Sequence, residues 1–182
     1  MEGAARRELV EGLQARLRSV RLVALDVDGV LTDGRVVHGG VSEIQFFDVR
    51  DGLGLKLLQR EGLTVAWISG RGCAATKLRA AELGVKELHL RSGPKGEALA
   101  ALQERLGVRP DETAAMGDDL PDLGLAARAG LFAAPADAHP EVLARAHYVC
   151  AARGGRGAVR ELADILLRAR GAWQRALDDH AR

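Results

Sequence analysis

The sequence predicts an α/β fold, a three-layer α/β/α sandwich built on a mainly parallel, Rossmann-like sheet. Short apolar runs such as "RLVALDV" and "LTVAWIS" alternate with stretches of helical period, the pattern of successive βαβ units. The 182 residues suffice for one sizeable core, and no repeat, low-complexity tract or linker divides them. A single domain over residues 21–170 is therefore expected, preceded by an N-terminal helix in 1–20 and followed by a tail at 171–182.

Each element has a local reason. Leu9, Leu13 and Leu17 stand four apart among charges, which predicts an amphipathic helix over 4–19. "RLVALDV" is a first strand near 21–27. "RVVHGGVSEIQFF", 35–47, places two β-rich runs around Gly39 and Gly40 and reads as a projecting hairpin. A helix over 52–60 follows, then a buried strand at 63–69 and a helix over 72–82 stopped by Gly84. "KELHL" is a third core strand. The next helix is opened by Pro94 and closed by Gly107. "ETAAMGD", "LFAAP" and "HYVCA" continue the sheet, with helices expected in "PDLGLAARAG" and "HPEVLARA" between them. An amphipathic helix from 157 completes the domain.

Composition narrows the function. A 47% apolar content with formal net charge +1 describes an ordinary globular domain, without the basic footprint or aromatic surface that nucleic-acid binding needs. No apolar run approaches the ~20 residues of a membrane span, and the N-terminus lacks the apolar centre of a signal peptide. A cytoplasmic protein is expected. Cys73 and Cys150 stand apart from each other and from any Cys/His grouping, so both are read as small buried side chains.

Open sheets of this kind bind ligands at the carboxyl ends of their strands. There the sequence places Asp26 and Asp28 after the first strand, Ser69 after the second, and Asp118 and Asp119 after the fourth. Lys95 begins the helix after the third. A lone strand-end aspartate commonly caps a turn. Several carboxylates at one edge are a different matter, because each buried charge costs several kcal/mol, on the order of its desolvation, unless a cation compensates. Oxygen ligands without His or Cys favour a hard cation, and Mg²⁺ suits a site shared with phosphate. Lys95 could neutralise a phosphoryl oxygen, and Ser69, Gly70 and Arg71 offer a hydroxyl and backbone N–H groups to an anion.

"DVDGVLTDG", "ISGR", "GPKGEAL" and "MGDDLPDL", in this order, resemble the four signature motifs of the haloacid dehalogenase superfamily of phosphotransferases. The resemblance implies that Asp26 is the nucleophile and Asp28 the general acid and base. It implies Mg²⁺ held by the Asp26 carboxylate, the Asp28 carbonyl and Asp118, with Asp119 and Asp122 as outer partners. Residue chemistry agrees, since a carboxylate attacks a phosphomonoester dianion only when cations cancel their repulsion. Gly29 would permit the turn between the two acids.

The chain has no room for a cap domain. Over 20–170, "FFDVRDGLGLKLL", "ADAHPEVLARAHYV" and "RGGRGAVRELADILL" resemble the capless 3-deoxy-D-manno-octulosonate 8-phosphate phosphatases, which serve lipopolysaccharide precursor synthesis. That resemblance implies a phosphorylated sugar acid as substrate and a homo-oligomer, most simply a tetramer, with the hairpins at the interface. It also implies that Gly154, Gly155, Arg156 and Gly157 reach a neighbouring subunit's site. Arg50, Asp51, Arg71 and Arg156 are the candidates for holding the substrate; Arg50 serves equally well as a structural arginine. Phosphatases of nine-carbon sugar acids share the same motifs and stay open as an alternative. A receiver-type signalling domain also joins a strand-end Asp, an acidic pair and a lysine, but places the acidic pair first. An inactive scaffold would lack a catalytic residue, and none is missing. Asp33, beside Gly34, is read as a turn former rather than a metal ligand, and His38 as an exposed residue.

Overall fold

The computed structural model of the chain describes residues 2–39 and 42–181, and of residues 2–6, 39 and 42 the backbone only. In chain order the elements are α1 (Glu2–Gly12), α2 (Gln14–Ser19), β1 (Leu22–Leu25), β2 (Val37–Gly39), β3 (Ser42–Ile44), α3 (Val49–Arg60), β4 (Thr64–Ser69), α4 (Ala74–Leu83) and β5 (Glu87–Leu90). The second half contributes α5 (Lys95–Leu106), β6 (Thr113–Met116), α6 (Leu123–Ala126), β7 (Leu131–Ala134), α7 (Pro140–Leu143), β8 (Tyr148–Val149), α8 (Ala158–Ala169) and α9 (Trp173–His180).

Six strands form one sheet in the order β5-β4-β1-β6-β7-β8, and every pairing within it is parallel. β1 lies in the middle, so the chain winds outward through β4 and β5, then returns past β1 to build the other half. The reversal leaves a crevice between the ends of β1 and β6, where such sheets take their ligands. β2 and β3 pair antiparallel as a separate hairpin, Val37 opposite Ile44. The hairpin's tip, at residues 40 and 41, lies outside the described residues. No inserted cap domain covers the crevice among the described residues.

Strand alternation divides the core in two. Val23 and Leu25 of β1, Val65 and Trp67 of β4, and Ala114 and Met116 of β6 face one way, against α3, α8, Leu17 of α2 and the inner side of α4. Leu22, Ala24, Ala66, Ile68 and Ala115 face the other way, against Leu99 and Leu102 of α5, Leu125 of α6 and Val142 of α7. Strands buried on both faces read as continuous apolar runs, which is why β1 and β4 stand out in the sequence. Each leucine buried there contributes ~2 kcal/mol relative to exposure.

Several boundaries shift. The expected single helix at 4–19 breaks at Leu13, whose φ of −94° and ψ of 0° leave helical geometry, so α2 can turn onto α8 with Leu17 fully buried. Arg18 Nε donates to Ala169 O and Arg170 Nη1 to Val20 O, closing that junction within the chain. α3 starts earlier than expected, at Val49, because the Asp48 side chain caps it by accepting from Arg50 N. The helix expected in "PDLGLAARAG" is a 3₁₀ turn at Leu120–Asp122 followed by the short α6, and α7 likewise covers only Pro140–Leu143. The tail at 171–182 contains a helix, α9, with the Arg168 guanidinium over the ring of Trp173 at 4.1 Å. Among the described residues no helix is long and apolar enough to cross a membrane. Both cysteines are buried, as expected.

Candidate active site

β1 ends at Leu25, and the Asp26 N–H bonds Met116 O at 3.0 Å, so the sheet ladder itself holds the first aspartate. The chain then turns sharply, with the N–H groups of Val30, Leu31 and Thr32 all directed to Val27 O. Gly29 sits at φ +96°, and a Cβ there would lie 2.1 Å from Asp118 Oδ2. No other side chain fits, because the Asp118 carboxylate occupies the space.

Asp26, Asp28, Ser69, Gly70, Arg71, Lys95, Asp118, Asp119 and Asp122 line one cleft of about 400 Å³ at the carboxyl ends of β1, β4 and β6. Four chain segments thus meet as the sequence motifs require. Lys95 is buried, and its Nζ donates at 2.6 Å to both Asp26 Oδ1 and Asp122 Oδ1. Asp122 Oδ2 accepts from the N–H groups of Asp118 (2.9 Å) and Asp119 (3.2 Å), which leaves it fully committed to shaping the loop. Asp119 caps the following turn through Leu120 N at 2.8 Å.

Burial, with the charge of Asp122 added, pushes the Asp26 carboxyl up to about 7, although Lys95 pulls the other way. Asp118 is pushed up to about 8 by burial and by the charges of Asp26 and Asp122. Burial lowers the Lys95 ammonium's pKa, but the attraction of Asp26 and then Asp122 outweighs it, and the net shift is upward. One ammonium is insufficient for three carboxylates. Oxygens of Asp26, Asp118 and Asp122 lie within 4.8 Å of one another, and Asp118 Oδ1 is buried without a hydrogen-bond partner among the described residues. An orphaned carboxylate oxygen in an all-oxygen cluster fits a hard divalent cation. Because both Asp122 oxygens are bonded elsewhere, the ligand positions available to such an ion are on Asp26 and Asp118.

Asp28 stands apart from the cluster. Its Oδ1 accepts from Gln45 Nε2 at 2.9 Å, and its Oδ2 faces Ser69 Oγ at 3.4 Å and Arg71 Nε at 3.7 Å. Ser69 Oγ in turn accepts from Arg71 N at 3.0 Å, and Arg71 Nη2 pairs with Glu43 Oε1 at 2.6 Å. Gln45 and Glu43 are absent from the sequence motifs. Their proximity to the site depends on how the hairpin folds back, although polar residues in an otherwise β-rich run are a weak signal.

Arg50 and Arg156 do not line the cleft of their own chain. The Arg50 guanidinium is held by Asp48, Nη2 to Oδ2 at 2.6 Å, and touches Arg156 O at 3.4 Å. Arg156 opens onto a neighbouring groove with Phe46 and Phe47, its Nη2 3.6 Å from Asp33 Oδ2. Asp51 is buried and faces α8, accepting from Gly157 N at 3.2 Å and Arg160 N at 2.7 Å, so it is a helix cap rather than a substrate contact. "RGGRG" lies against the Asp28–Asp33 loop. A Cβ on Gly154 would meet Gly29 O at 1.7 Å, and Gly155 N donates to Val30 O at 2.8 Å. Asp33 makes the expected turn, accepting from Arg35 N at 3.4 Å, and His38 is exposed.

Comparison with known proteins agrees with this arrangement. A family model for haloacid dehalogenase-like hydrolases matches residues 82–162. A 3-deoxy-D-manno-octulosonate 8-phosphate phosphatase of Escherichia coli (strain B / BL21-DE3) is 41% identical over 165 residues, covering 90% of this chain and 88% of that protein. The structure of such a phosphatase from Moraxella catarrhalis, in complex with magnesium ion, phosphate ion and KDO, matches at TM-score 0.91 and 33% identity, over 93% of this chain and 98% of that one. The cobalt-bound enzyme of Haemophilus influenzae matches at TM-score 0.84 and 40% identity, over 87% of this chain and 93% of that one. With its parallel sheet, its capless cleft and its acidic cluster, the chain belongs to the 3-deoxy-D-manno-octulosonate 8-phosphate phosphatases of the haloacid dehalogenase superfamily.

Proposed function

We propose that the cleft hydrolyses the phosphomonoester of 3-deoxy-D-manno-octulosonate 8-phosphate through an aspartyl phosphate on Asp26. The observation that carries this reading is the Lys95 ammonium 2.6 Å from both Asp26 and Asp122, beside the orphaned Oδ1 of Asp118. Asp26 and Asp118, with the Asp28 carbonyl, would hold Mg²⁺. When bound, the ion offsets the negative charge of the cluster and of the phosphoryl oxygens. Asp26 Oδ attacks phosphorus while Lys95, the Ser69 hydroxyl and the Gly70 N–H hold the equatorial oxygens. Asp28, across the cleft, protonates the departing alkoxide. It then accepts a proton from the water that cleaves the acyl phosphate and releases inorganic phosphate. Asp119 and Asp122 keep the Asp118 loop in shape.

The remaining assignments belong to the same reading. Residues 21–170 form the catalytic domain, to which the segments 1–20 and 171–182 are appended. The enzyme works in the cytoplasm as a homotetramer. Exposed Phe46, Val49, Val36 and Ile44 around the hairpin support an interface there, since an apolar patch of that kind is costly in water. Arg71 and, from a neighbouring subunit, Arg156 hold the substrate carboxylate, with Arg50 fixing the segment that carries Arg156. α8 is part of the core, so this contribution is tested by point substitution rather than by truncation.

The decisive experiment is phosphate release from a panel of eight- and nine-carbon sugar acid phosphates, with and without Mg²⁺, for the native enzyme and Asp26→Asn. Preferred turnover of the octulosonate ester, lost in Asp26→Asn while the fold is retained, is the expected result. Appreciable residual turnover would refute the nucleophile assignment, and preference for a nine-carbon ester would replace the substrate.

A further inference from the structure

The sequence motifs leave the orientation of Asp28 unexplained. An acid that must donate a proton in one half-reaction and accept one in the next needs a defined oxygen for the task, and both oxygens of a carboxylate are chemically alike. The surroundings of Asp28 make them different. Gln45, the residue after β3, donates from Nε2 to Asp28 Oδ1 at 2.9 Å, and its own Oε1 accepts from Thr76 Oγ1 at 2.6 Å. Thr76 belongs to the first turn of α4 and is buried, 2% exposed, so its hydroxyl is rigidly placed.

This pairing settles the direction of the amide. Turned over, Gln45 would set Oε1 against the Asp28 carboxylate, two acceptors facing each other, whereas the hydroxyl of Thr76 can donate to Oε1 without cost. The amide N–H holds Asp28 Oδ1 as an acceptor, which leaves Oδ2 on the side of the cleft that Ser69 and Arg71 line, 3.4 Å from Ser69 Oγ and 3.7 Å from Arg71 Nε. The backbone on either side of Gln45 is anchored as well. Glu43 is tied to Arg71 at 2.6 Å, and Phe47 stacks on the buried Trp67 with ring centroids 6.3 Å apart.

We propose that Gln45, locked by Thr76, is a positioning residue that holds Asp28 with Oδ2 presented for proton transfer. The inference rests on the reading of Asp28 as general acid and base. Without Gln45 the carboxylate can rotate, and both proton transfers slow: from Oδ2 to the leaving oxygen as the phosphorus–oxygen bond breaks, and from water to Oδ2 as the acyl phosphate is cleaved. Attack by Asp26 is untouched, since no contact links Gln45 to Asp26, Lys95 or Asp118 among the described residues.

p-Nitrophenyl phosphate separates these steps, because p-nitrophenolate departs without a proton. In rapid-mixing experiments with Mg²⁺, Gln45→Leu should release the first equivalent of p-nitrophenolate at the native rate. Steady-state turnover should fall by about tenfold or more, which appears as a burst. With the sugar acid phosphate the first turnover should fall too. Thr76→Val should show the same pattern more weakly, and the double variant no further loss. A burst slowed in parallel with the steady state would assign Gln45 a merely structural role and overturn the proposal, as would native kinetics in Gln45→Leu. The normal first turnover itself certifies a folded site. Asp28→Asn run alongside should give the same burst more strongly. If Asp28→Asn gives none, the reading of Asp28 is wrong, whereas a burst in Asp28→Asn with native behaviour in Gln45→Leu removes this inference alone.

Discussion

Replacing Gly29 by alanine tests whether the turn after β1 is shaped for the metal site. Two costs follow from its geometry. At φ +96° an L-residue is strained by ~1–2 kcal/mol. The new Cβ would also lie 2.1 Å from Asp118 Oδ2, 2.4 Å from its Cγ and 2.7 Å from its Oδ1, where ordinary contact begins at 3.4 Å. The carboxylate must therefore retreat by more than ~1 Å, in a site where Mg²⁺ demands oxygen distances near ~2.1 Å. Gly62→Ala provides the comparison. Gly62 has φ +80° with nothing within 4 Å of a built Cβ, so it carries the backbone strain without the collision. Gly62→Ala should lose ~1–2 kcal/mol in urea unfolding, and Gly29→Ala at least as much. Gly29→Ala alone should raise the Mg²⁺ concentration for half-maximal phosphate release by ~10–100-fold, the loss typical when the support of a metal ligand is disturbed. Equal Mg²⁺ dependence in the two variants would show that Asp118 is not the group Gly29 makes room for, or does not bind the ion.

Two other expectations concern buried charge. Lys95→Met removes the ammonium from between Asp26 and Asp122; the metal-free protein should lose ~3–5 kcal/mol in urea unfolding, and kcat should fall by ~10²–10³. A variant as stable and active as the native enzyme would refute the role given to this lysine. Asp51, pushed up to about 6 by burial, binds its proton more tightly folded than unfolded. Its contribution is fully present below the ordinary value of 3.8 and is lost as pH rises through about 6. The gap corresponds to ~3 kcal/mol, so Asp51→Asn should flatten the stability difference between pH 4 and pH 7 by about that amount. Unfolding curves with the same pH dependence in both proteins would contradict this.

The α/β class, the parallel sheet and the family were legible in the sequence because their signals are local. A strand buried on both faces must be apolar along its length, as "LVAL" and "TVAWI" are, and a ligand site at strand ends shows as polar groups where such runs stop, Asp26 and Asp28 after the first, Ser69 closing the second and Asp118 after "TAAM". The shorter helices were less legible. α6 and α7 occupy stretches with helical composition, but the 3₁₀ turn capped by Asp119 and the return to β8 use up their residues.

The partners of each acid were decided only in three dimensions. Nothing in the spacing of "RGGRG" states that Gly154 and Gly155 close on the loop of Gly29, or that Asp51 caps α8 from across the core. Gln45 reaches Asp28 because the hairpin lies against α4, which brings Thr76 to the same amide. The sequence by itself determined which groups lie at the sheet's edge, since a strand's end is a local fact. Which carboxylate lost its hydration and which kept a hydrogen-bond donor depended on contacts between residues far apart in the chain, and only the tertiary structure brings those together.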